Sequence, residues 1–202
     1  IALAGKFKRI LVSIYDSRGE LLRDIEEWDE AERAFTESQR WGKGAEQWVN
    51  YETYMGLAEL SRQRGQYHDA LFWLREAFRV GGMSKEAPQY IFRVGAVYLE
   101  MGQVKLAKDT LHHALSQWGE PQVSQEYILN CLHLAMAHFK LDEIEQAYER
   151  AATSLELTAR LGYDQFLVTA GRKAVGLLTS LLASQPGNQQ LESIVKRVEN
   201  FR

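Results

Sequence analysis

Cysteine and proline are scarce in this sequence, and basic residues are not in excess over acidic ones. Its 202 residues include one cysteine and three prolines, and the formal net charge is −3. A single cysteine, Cys131, excludes a framework of internal disulfides and fits a reducing, cytoplasmic compartment. Without a basic excess, direct binding to nucleic acid is not expected, because lysine and arginine drive that binding.

Long apolar runs are also missing. The most apolar stretch, residues 174–183, is too short to cross a bilayer and directly follows Arg172 and Lys173. We therefore expect no association with a membrane. The hydrophobic fraction of 46% and the charged fraction of 25% are typical of an ordinary soluble protein. The sequence begins at Ile1, so we expect it to be part of a longer chain.

A pattern of helix hairpins repeats along the sequence. In residues 51–80, the residues expected on the packed side of a first helix recur at helical spacing until Gly65. A second such series follows, with Ala70 near its start. The pattern then returns with Gly102 and Ala107, and the interval between the two glycines equals that between the two alanines. Small residues at one fixed offset from a turn let paired helices approach closely, and generic amphipathic helices do not require them. The sequence therefore predicts a repeat.

Two further copies fit the pattern less closely. One has Asp142 in place of the turn glycine and Ala147 in its second helix, at a slightly longer interval after Ala107. Asp142 and Glu145 are predicted to form a capping box that opens this second helix. The other copy has Ala31 in its second helix, at a similar interval before the alanine of the next copy. Its first helix places Arg18 at a position where a buried residue is expected.

We predict one all-α domain over residues 1–202, a right-handed α-solenoid with C-terminal capping helices. The four hairpins are predicted at about residues 6–41, 45–81, 86–118 and 122–161. Residues 162–202 would form the cap, because the last hairpin of a solenoid otherwise exposes its apolar face. Within the cap, residues 164–184 are predicted to be one long helix. A last helix would bury Leu191, Ile194, Val195, Val198 and Phe201.

The order of residue types within a copy resembles the tetratricopeptide repeat (TPR) family. The residues that carry this resemblance in the second copy are Tyr54, Leu57, Ala58, Ser61, Gly65, Tyr67, Ala70, Leu74 and Ala77. The resemblance covers about residues 12–161. The usual repeat of the family has about 34 residues, and the longer intervals here are similar to those of longer-repeat members, such as sensor domains of bacterial transcription activators and scaffold proteins. The resemblance implies an interaction module without enzymatic activity.

In folds of this type the first helix of each hairpin lines a concave groove. The residues predicted to bind a partner there are Met55, Glu59, Arg62, Phe92, Arg93, Ala96, Leu99, Leu129, Leu132, His133, Met136 and Phe139. The predicted floor is polar and acidic at its N-terminal end and apolar at its C-terminal end. Two interpretations of the apolar end remain open. Either the C-terminal helices fill it, with residues 191–201 as the plug, or an amphipathic helix or apolar peptide of a partner binds there.

The sequence predicts no catalytic residues, no metal site and no cofactor. His133 and His138 are five residues apart, whereas two metal ligands on one face of a helix are four apart. We find no pairing of a nucleophile with a base and no glycine motif for phosphate binding. Chemistry on a bound substrate is therefore not expected.

The resulting hypothesis is a protein–protein interaction module that binds a peptide or helix of a partner protein, as a regulatory or scaffold domain of a larger protein. One alternative is a small-molecule-sensing domain of a bacterial transcription activator, with the effector near Phe92, Met136 and Phe139. Another is a self-assembly domain, in which a second copy of the chain covers the apolar end and forms a homo-oligomer.

Overall fold

The computed structural model describes residues 2–44 and 47–200, except for the side chains of residues 2–6, 47 and 48. These ranges contain eleven α-helices, one short 3₁₀ helix at Gln47–Asn50 and no strand. The α-helices are α1 (Ala2–Asp24), α2 (Trp28–Gly42), α3 (Tyr51–Gln63), α4 (Tyr67–Val80), α5 (Pro88–Glu100), α6 (Val104–Trp118), α7 (Gln125–Lys140), α8 (Ile144–Leu161), α9 (Gln165–Gly171), α10 (Val175–Ser184) and α11 (Gln189–Asn200). The prediction of an all-α protein is confirmed. Phe201, predicted to be buried, lies outside the described residues.

Four short turns join helices within pairs, and all four have the same backbone geometry. Their left-handed residues are Glu26, Gly65, Gly102 and Asp142, with φ angles of 65°, 74°, 79° and 59°. In each turn the next residue donates its backbone N–H to the carbonyl five residues earlier, at 2.8 to 3.0 Å. This bond satisfies a carbonyl at the end of the first helix. The turns at Glu26 and Asp142 are therefore equivalent to the two glycine turns.

The capping box predicted at Asp142 is wrong. Asp142 takes the left-handed turn position, and Glu143 is the residue that precedes α8, without a side-chain cap. The carboxylate of Glu143 instead accepts hydrogen bonds from Lys108 at 2.7 Å and from the ring of His138 at 2.6 Å. The turn geometry, rather than a capping box, sets the start of α8.

The alanines that define the repeat lie in equivalent surroundings. Ala31, Ala70, Ala107 and Ala147 are each fully buried. Each donates its backbone N–H to the carbonyl of the residue that precedes its helix, at 2.9 to 3.0 Å. A larger side chain at these positions would have no space, which is why small residues recur there.

The chain divides into two compact units, residues 1–90 and residues 91–202. In the first unit, α1 packs against α2, and α3 packs against α4. The Phe35 ring of α2 lies between two glycines: a Cβ atom would come within 2.7 Å of this ring at Gly19 and within 2.3 Å at Gly56. Arg18, the residue that weakened the prediction of this copy, is exposed, and glycine fills the packing position beside it.

The second unit has a core that α7 shares with the helices around it. Buried residues of α7, α8, α9, α10 and α11 form one apolar cluster. Residues of α5 and α6, including Phe92, Ala96 and Leu111, form a second cluster with Leu134 of α7. The C-terminal helices are thus part of the core of this unit.

The single long helix predicted for residues 164–184 is wrong. The segment consists of α9 and α10, whose axes differ in direction by 106°. Gly171 lies so close to Val198 and Leu178 that a Cβ there would meet them at 3.0 and 3.2 Å. The bend lets α9 and α10 bury their apolar residues in the same core. Within the described ranges no single helix is long and apolar enough to cross a membrane, and α9 and α10 reach that length and composition only when taken together.

Candidate partner-binding surface

The apolar end of the predicted groove is covered by the second unit itself. Leu99, Leu132 and Met136 have 1%, 1% and 6% of their surface exposed. They belong to the same cluster as Ala174, Leu177, Leu178 and Leu181 of the C-terminal segment. We call α9 and α10 the C-terminal cover. These three predicted groove residues are therefore core residues in this structure, which agrees with the first of the two open interpretations.

Polar contacts hold the C-terminal cover in place. Lys173, between α9 and α10, donates to Glu100 at the end of α5 at 2.5 Å, and the side chain of Glu100 is 8% exposed. Tyr148 of α8 and Ser180 of α10 share a hydrogen bond of 2.7 Å. The described part of the predicted plug, residues 191–200, packs against α9 and α10. It also belongs to the apolar cluster that contains the buried residues of α7.

The other predicted groove residues of the second unit are buried or half-buried. Phe92 and Ala96 are buried, and the Phe92 ring meets the His133 ring edge-on with 5.7 Å between centroids. His133 donates through Nδ1 to the carbonyl oxygen of Leu129 at 2.7 Å. The guanidinium of Arg93 lies 5.6 Å from the centre of the Phe92 ring and 3.9 Å from Glu126. Leu129, Arg93 and Phe139 are half-buried.

The predicted groove residues of the first unit remain accessible. Met55, Glu59 and Arg62 are half-buried and lie on one side of α3; we call them the α3 face. Arg62 donates to both carboxylate oxygens of Glu59, with Nε to Oε2 at 2.8 Å, and Gln63 donates to Oε1 at 3.2 Å. Burial raises the pKa of Glu59, but the charge and hydrogen bond of Arg62 outweigh it, and the pKa falls to about 2. The α3 face therefore presents a fixed ion pair beside Met55.

A buried carboxylate lies where α1, α2 and α3 meet. Asp16 of α1 is 6% exposed, between the hydroxyl groups of Ser38 and Thr53, which are 3.0 Å apart. Burial raises the pKa of Asp16 to about 6; the hydrogen bonds from the two hydroxyls oppose this shift, and the nearby charges of Glu20 and Glu52 add to it. Asp16 belongs to the polar, acidic N-terminal end predicted for the groove floor, and it is buried instead. The periodicity of α1 alone could not reveal that α2 and α3 both pack over it.

The Asp16 carboxyl makes stability depend on pH. Because its pKa is raised in the folded protein, the folded protein binds the proton more tightly than the unfolded chain does. Its stabilising contribution is complete below the ordinary carboxyl pKa and is lost as the pH rises through about 6. We expect the unfolding free energy of the wild type, relative to that of Asp16→Asn, to fall by about 2 to 3 kcal/mol between about pH 4 and about pH 8. Urea unfolding at both pH values measures it, and parallel pH profiles would contradict it.

The structure also shows a cleft that sequence reasoning missed. It has a volume of about 250 Å³ and is lined by Gln39, Lys43, Asn50, Tyr54, Phe72, Trp73 and Glu76. The rings of Tyr54 and Trp73 are stacked with 5.4 Å between centroids. Ligand pockets for small molecules are usually about 300 to 1,000 Å³, so this cleft better fits a single side chain. Helical spacing gives no signal for it, because separate helices contribute its residues.

The residues whose side chains are described do not form a metal site. No group of three or more His, Cys, Asp or Glu residues in that part of the chain could hold a metal ion. The Cys131 thiol is buried, and burial raises its pKa to about 12. This thiol is therefore a poor nucleophile at neutral pH.

No known protein family and no curated protein matches the sequence, but solved structures match the fold. BtubC (BKLC) from P. vanneervenii is 14% identical, with a TM-score of 0.63 over 96% of this chain and 81% of that chain. PilF from Pseudomonas aeruginosa is 12% identical, with a TM-score of 0.61 over 96% and 77%. Kinesin light chain TPR-like repeats from Podospora anserina are 14% identical, with a TM-score of 0.57 over 96% and 95%. Together with the four equivalent turns and the four equivalent alanines, these likenesses show that the chain has a helical-repeat fold of the tetratricopeptide type.

Proposed function

We propose that the chain is a non-catalytic protein-interaction module that binds a peptide or short helix of a partner protein on the α3 face. The observation that carries this proposal is the fixed ion pair between Glu59 and Arg62 beside the half-buried side chain of Met55. Side chains that are already ordered lose little conformational freedom when a partner binds, so more of the contact energy becomes affinity.

Exposed carboxylates on α1 and in the first turn of α3 indicate the chemistry of the partner. Glu20 of α1 and Glu52 of α3 are exposed, and their charges act on Asp16, so the three carboxyl groups lie near one another. A partner segment with lysine or arginine beside these carboxylates, and an apolar side chain against Met55, would complement the surface. The segment expected is therefore amphipathic and basic.

The C-terminal cover limits where a partner binds. A peptide at the apolar end of the second unit would have to displace α9 and α10, and with them the ion pair between Lys173 and Glu100. The α3 face needs no such rearrangement. A module of this kind would serve as a regulatory or scaffold domain of a larger protein in the cytoplasm.

The test is a selection of peptides from a random display library on the immobilised wild-type protein. Enriched peptides are then titrated in solution against the double variant Glu59→Gln with Arg62→Gln. Hydrogen bonds to charged groups contribute about 1.5 to 3 kcal/mol, so affinity is expected to weaken about tenfold or more.

A matched control is present in the same unit. Glu30 and Arg33 of α2 form an ion pair with the same three-residue spacing at 2.5 Å. The double variant Glu30→Gln with Arg33→Gln should bind the selected peptides as the wild type does. Equal loss in both double variants, or no loss in either, would refute binding on the α3 face. Enriched peptides without basic residues would refute the charge argument.

A further inference from the structure

The cleft of the first unit, about 250 Å³ in volume, is lined by three aromatic rings; we call it the Trp73 cleft. The rings of Tyr54 and Trp73 are stacked, and the Phe72 ring meets the Trp73 ring edge-on with 4.9 Å between centroids. Phe72 is 44% exposed. Among the described residues of α2, α3 and α4, no other large apolar side chain is exposed to this degree. The cleft can therefore pack an apolar side chain of another molecule against these rings.

The charges beside the rings leave an excess of positive charge. The Glu76 carboxylate lines the cleft and accepts two hydrogen bonds from Arg79, at 3.0 and 2.8 Å, so its charge is matched within α4. The guanidinium of Arg75 lies 5.6 Å from the centre of the Phe72 ring, and its Nε is 3.9 Å from the same carboxylate. One carboxylate thus faces two arginines.

Lysine side chains at the other end of the cleft add to this excess. Lys43 lines the cleft, and its side chain is exposed. Lys8 of α1 donates to the backbone carbonyl of Lys43 at 3.2 Å, which brings a second ammonium group to this end. Neither lysine forms an ion pair with a residue that the structure describes. The side-chain amides of Gln39 and Asn50 also line the cleft and can donate hydrogen bonds to a carboxylate.

We propose that the Trp73 cleft binds an acidic segment of a partner protein. One apolar side chain of that segment packs against the rings, and its carboxylates lie beside Lys43. The volume of the cleft fits one side chain, and the excess of positive charge favours acidic residues on either side of it. A basic segment would bring like charges against Lys43 and the two arginines.

The surroundings of Trp73 indicate on which side the carboxylates lie. Trp73 also lines a smaller cleft, of about 160 Å³, that contains Glu32 and Asp69. Arg64 donates to Glu32 at 2.5 Å, whereas Asp69 is exposed and forms no ion pair with a described residue. This side of the ring disfavours an acidic segment, so the carboxylates of the partner are expected on the side of Lys43.

This inference does not depend on the peptide site proposed on the α3 face. The Trp73 cleft and the α3 face share no residue, and they require partner segments of opposite charge. A cleft that takes one side chain is expected to bind weakly. Its test is therefore a titration with defined peptides rather than a selection.

The experiment follows the indole N–H signal of Trp73 by NMR in the intact, nitrogen-15-labelled chain, with the signal assigned through Trp73→Phe. Three series of synthetic pentapeptides have a central leucine or phenylalanine with glutamate, glutamine or lysine on both sides. The glutamate series should shift the signal to saturation and bind about fivefold or more tightly than the glutamine series. The lysine series should leave the signal unchanged.

Three variants locate the site of binding. Lys43→Glu is expected to weaken the binding of the glutamate series about fivefold or more. Lys85→Glu changes an exposed lysine between α4 and α5 and is the matched control, which should bind as the wild type does. The double variant Glu59→Gln with Arg62→Gln, which removes the ion pair of the α3 face, should also bind these peptides as the wild type does.

Several outcomes would overturn the proposal. The first is a Trp73 signal that no glutamate peptide shifts to saturation, or that the lysine series shifts equally. The second is binding that Lys43→Glu leaves unchanged, or that Lys85→Glu weakens as much. The third is a loss of binding in the α3-face variant, which would place the acidic peptides on the α3 face.

Discussion

Replacing Leu132 by glutamate is expected to lower the free energy of unfolding by about 3 to 5 kcal/mol. Leu132 is 1% exposed and lies in the core that α7 shares with the C-terminal cover. The substitution removes a buried apolar side chain and leaves a carboxylate without a partner among apolar neighbours. Urea unfolding followed by circular dichroism measures the loss. It should come with exposure of the cover to proteases.

The outcome for Leu132 distinguishes a covered groove from an open one. Leu106→Glu, at an exposed position of α6, is the control and should change stability by no more than about 0.5 kcal/mol. If Leu132→Glu were equally harmless, the apolar end of the groove would be accessible to solvent. The C-terminal cover would then be absent in solution.

Replacing Phe35 by alanine is expected to cost about 3 to 5 kcal/mol. Its ring is fully buried and is held between Gly19 of α1 and Gly56 of α3. Because the ring bridges two hairpins, its loss weakens the contact between them as well as the cluster around it. The measurement is again the unfolding free energy in urea.

The two glycines provide a double-mutant test of this packing. Gly56→Ala in the wild type should cost about 1 to 3 kcal/mol, since the new Cβ would be 2.3 Å from the ring of Phe35. In the Phe35→Ala background the same change should cost nothing or stabilise by up to about 1 kcal/mol, through helix propensity. Gly176→Ala in α10, where the nearest neighbour of a Cβ is 3.8 Å away, is the control and should not destabilise. Additive effects of the two substitutions would show that the ring and glycine do not interact.

The repeat could be predicted because its signals are local. The spacing from Gly65 to Gly102 equals the spacing from Ala70 to Ala107, and both follow from helix geometry over a few turns. The left-handed turn at Glu26 could not be predicted in this way, because glutamate rarely adopts a positive φ. The bend between α9 and α10 could not be predicted either, because no proline marks it in the sequence. It depends on contacts of Gly171 with residues 178 and 198.

The accessible surface was less predictable than the fold. Whether Leu99, Leu132 and Met136 face solvent depends on where the C-terminal segment packs. The ion pair between Glu100 and Lys173 joins residues that are 73 positions apart. Hydrophobic spacing predicted that these apolar residues lie on the groove side of their helices. It could not predict whether a partner or the chain's own C-terminal helices cover them. Among the described residues of its unit no segment covers the α3 face in this way, so its prediction as a binding surface remains a proposal.

The most direct measurement is amide hydrogen exchange, followed by mass spectrometry, with and without a peptide selected on the wild-type protein. Binding on the α3 face predicts slower exchange in residues 51–63 and no change in residues 125–140. Slower exchange in residues 125–140 together with faster exchange in residues 165–184 would mean that the peptide displaces the C-terminal cover. That result would contradict the assignment of the partner to the α3 face.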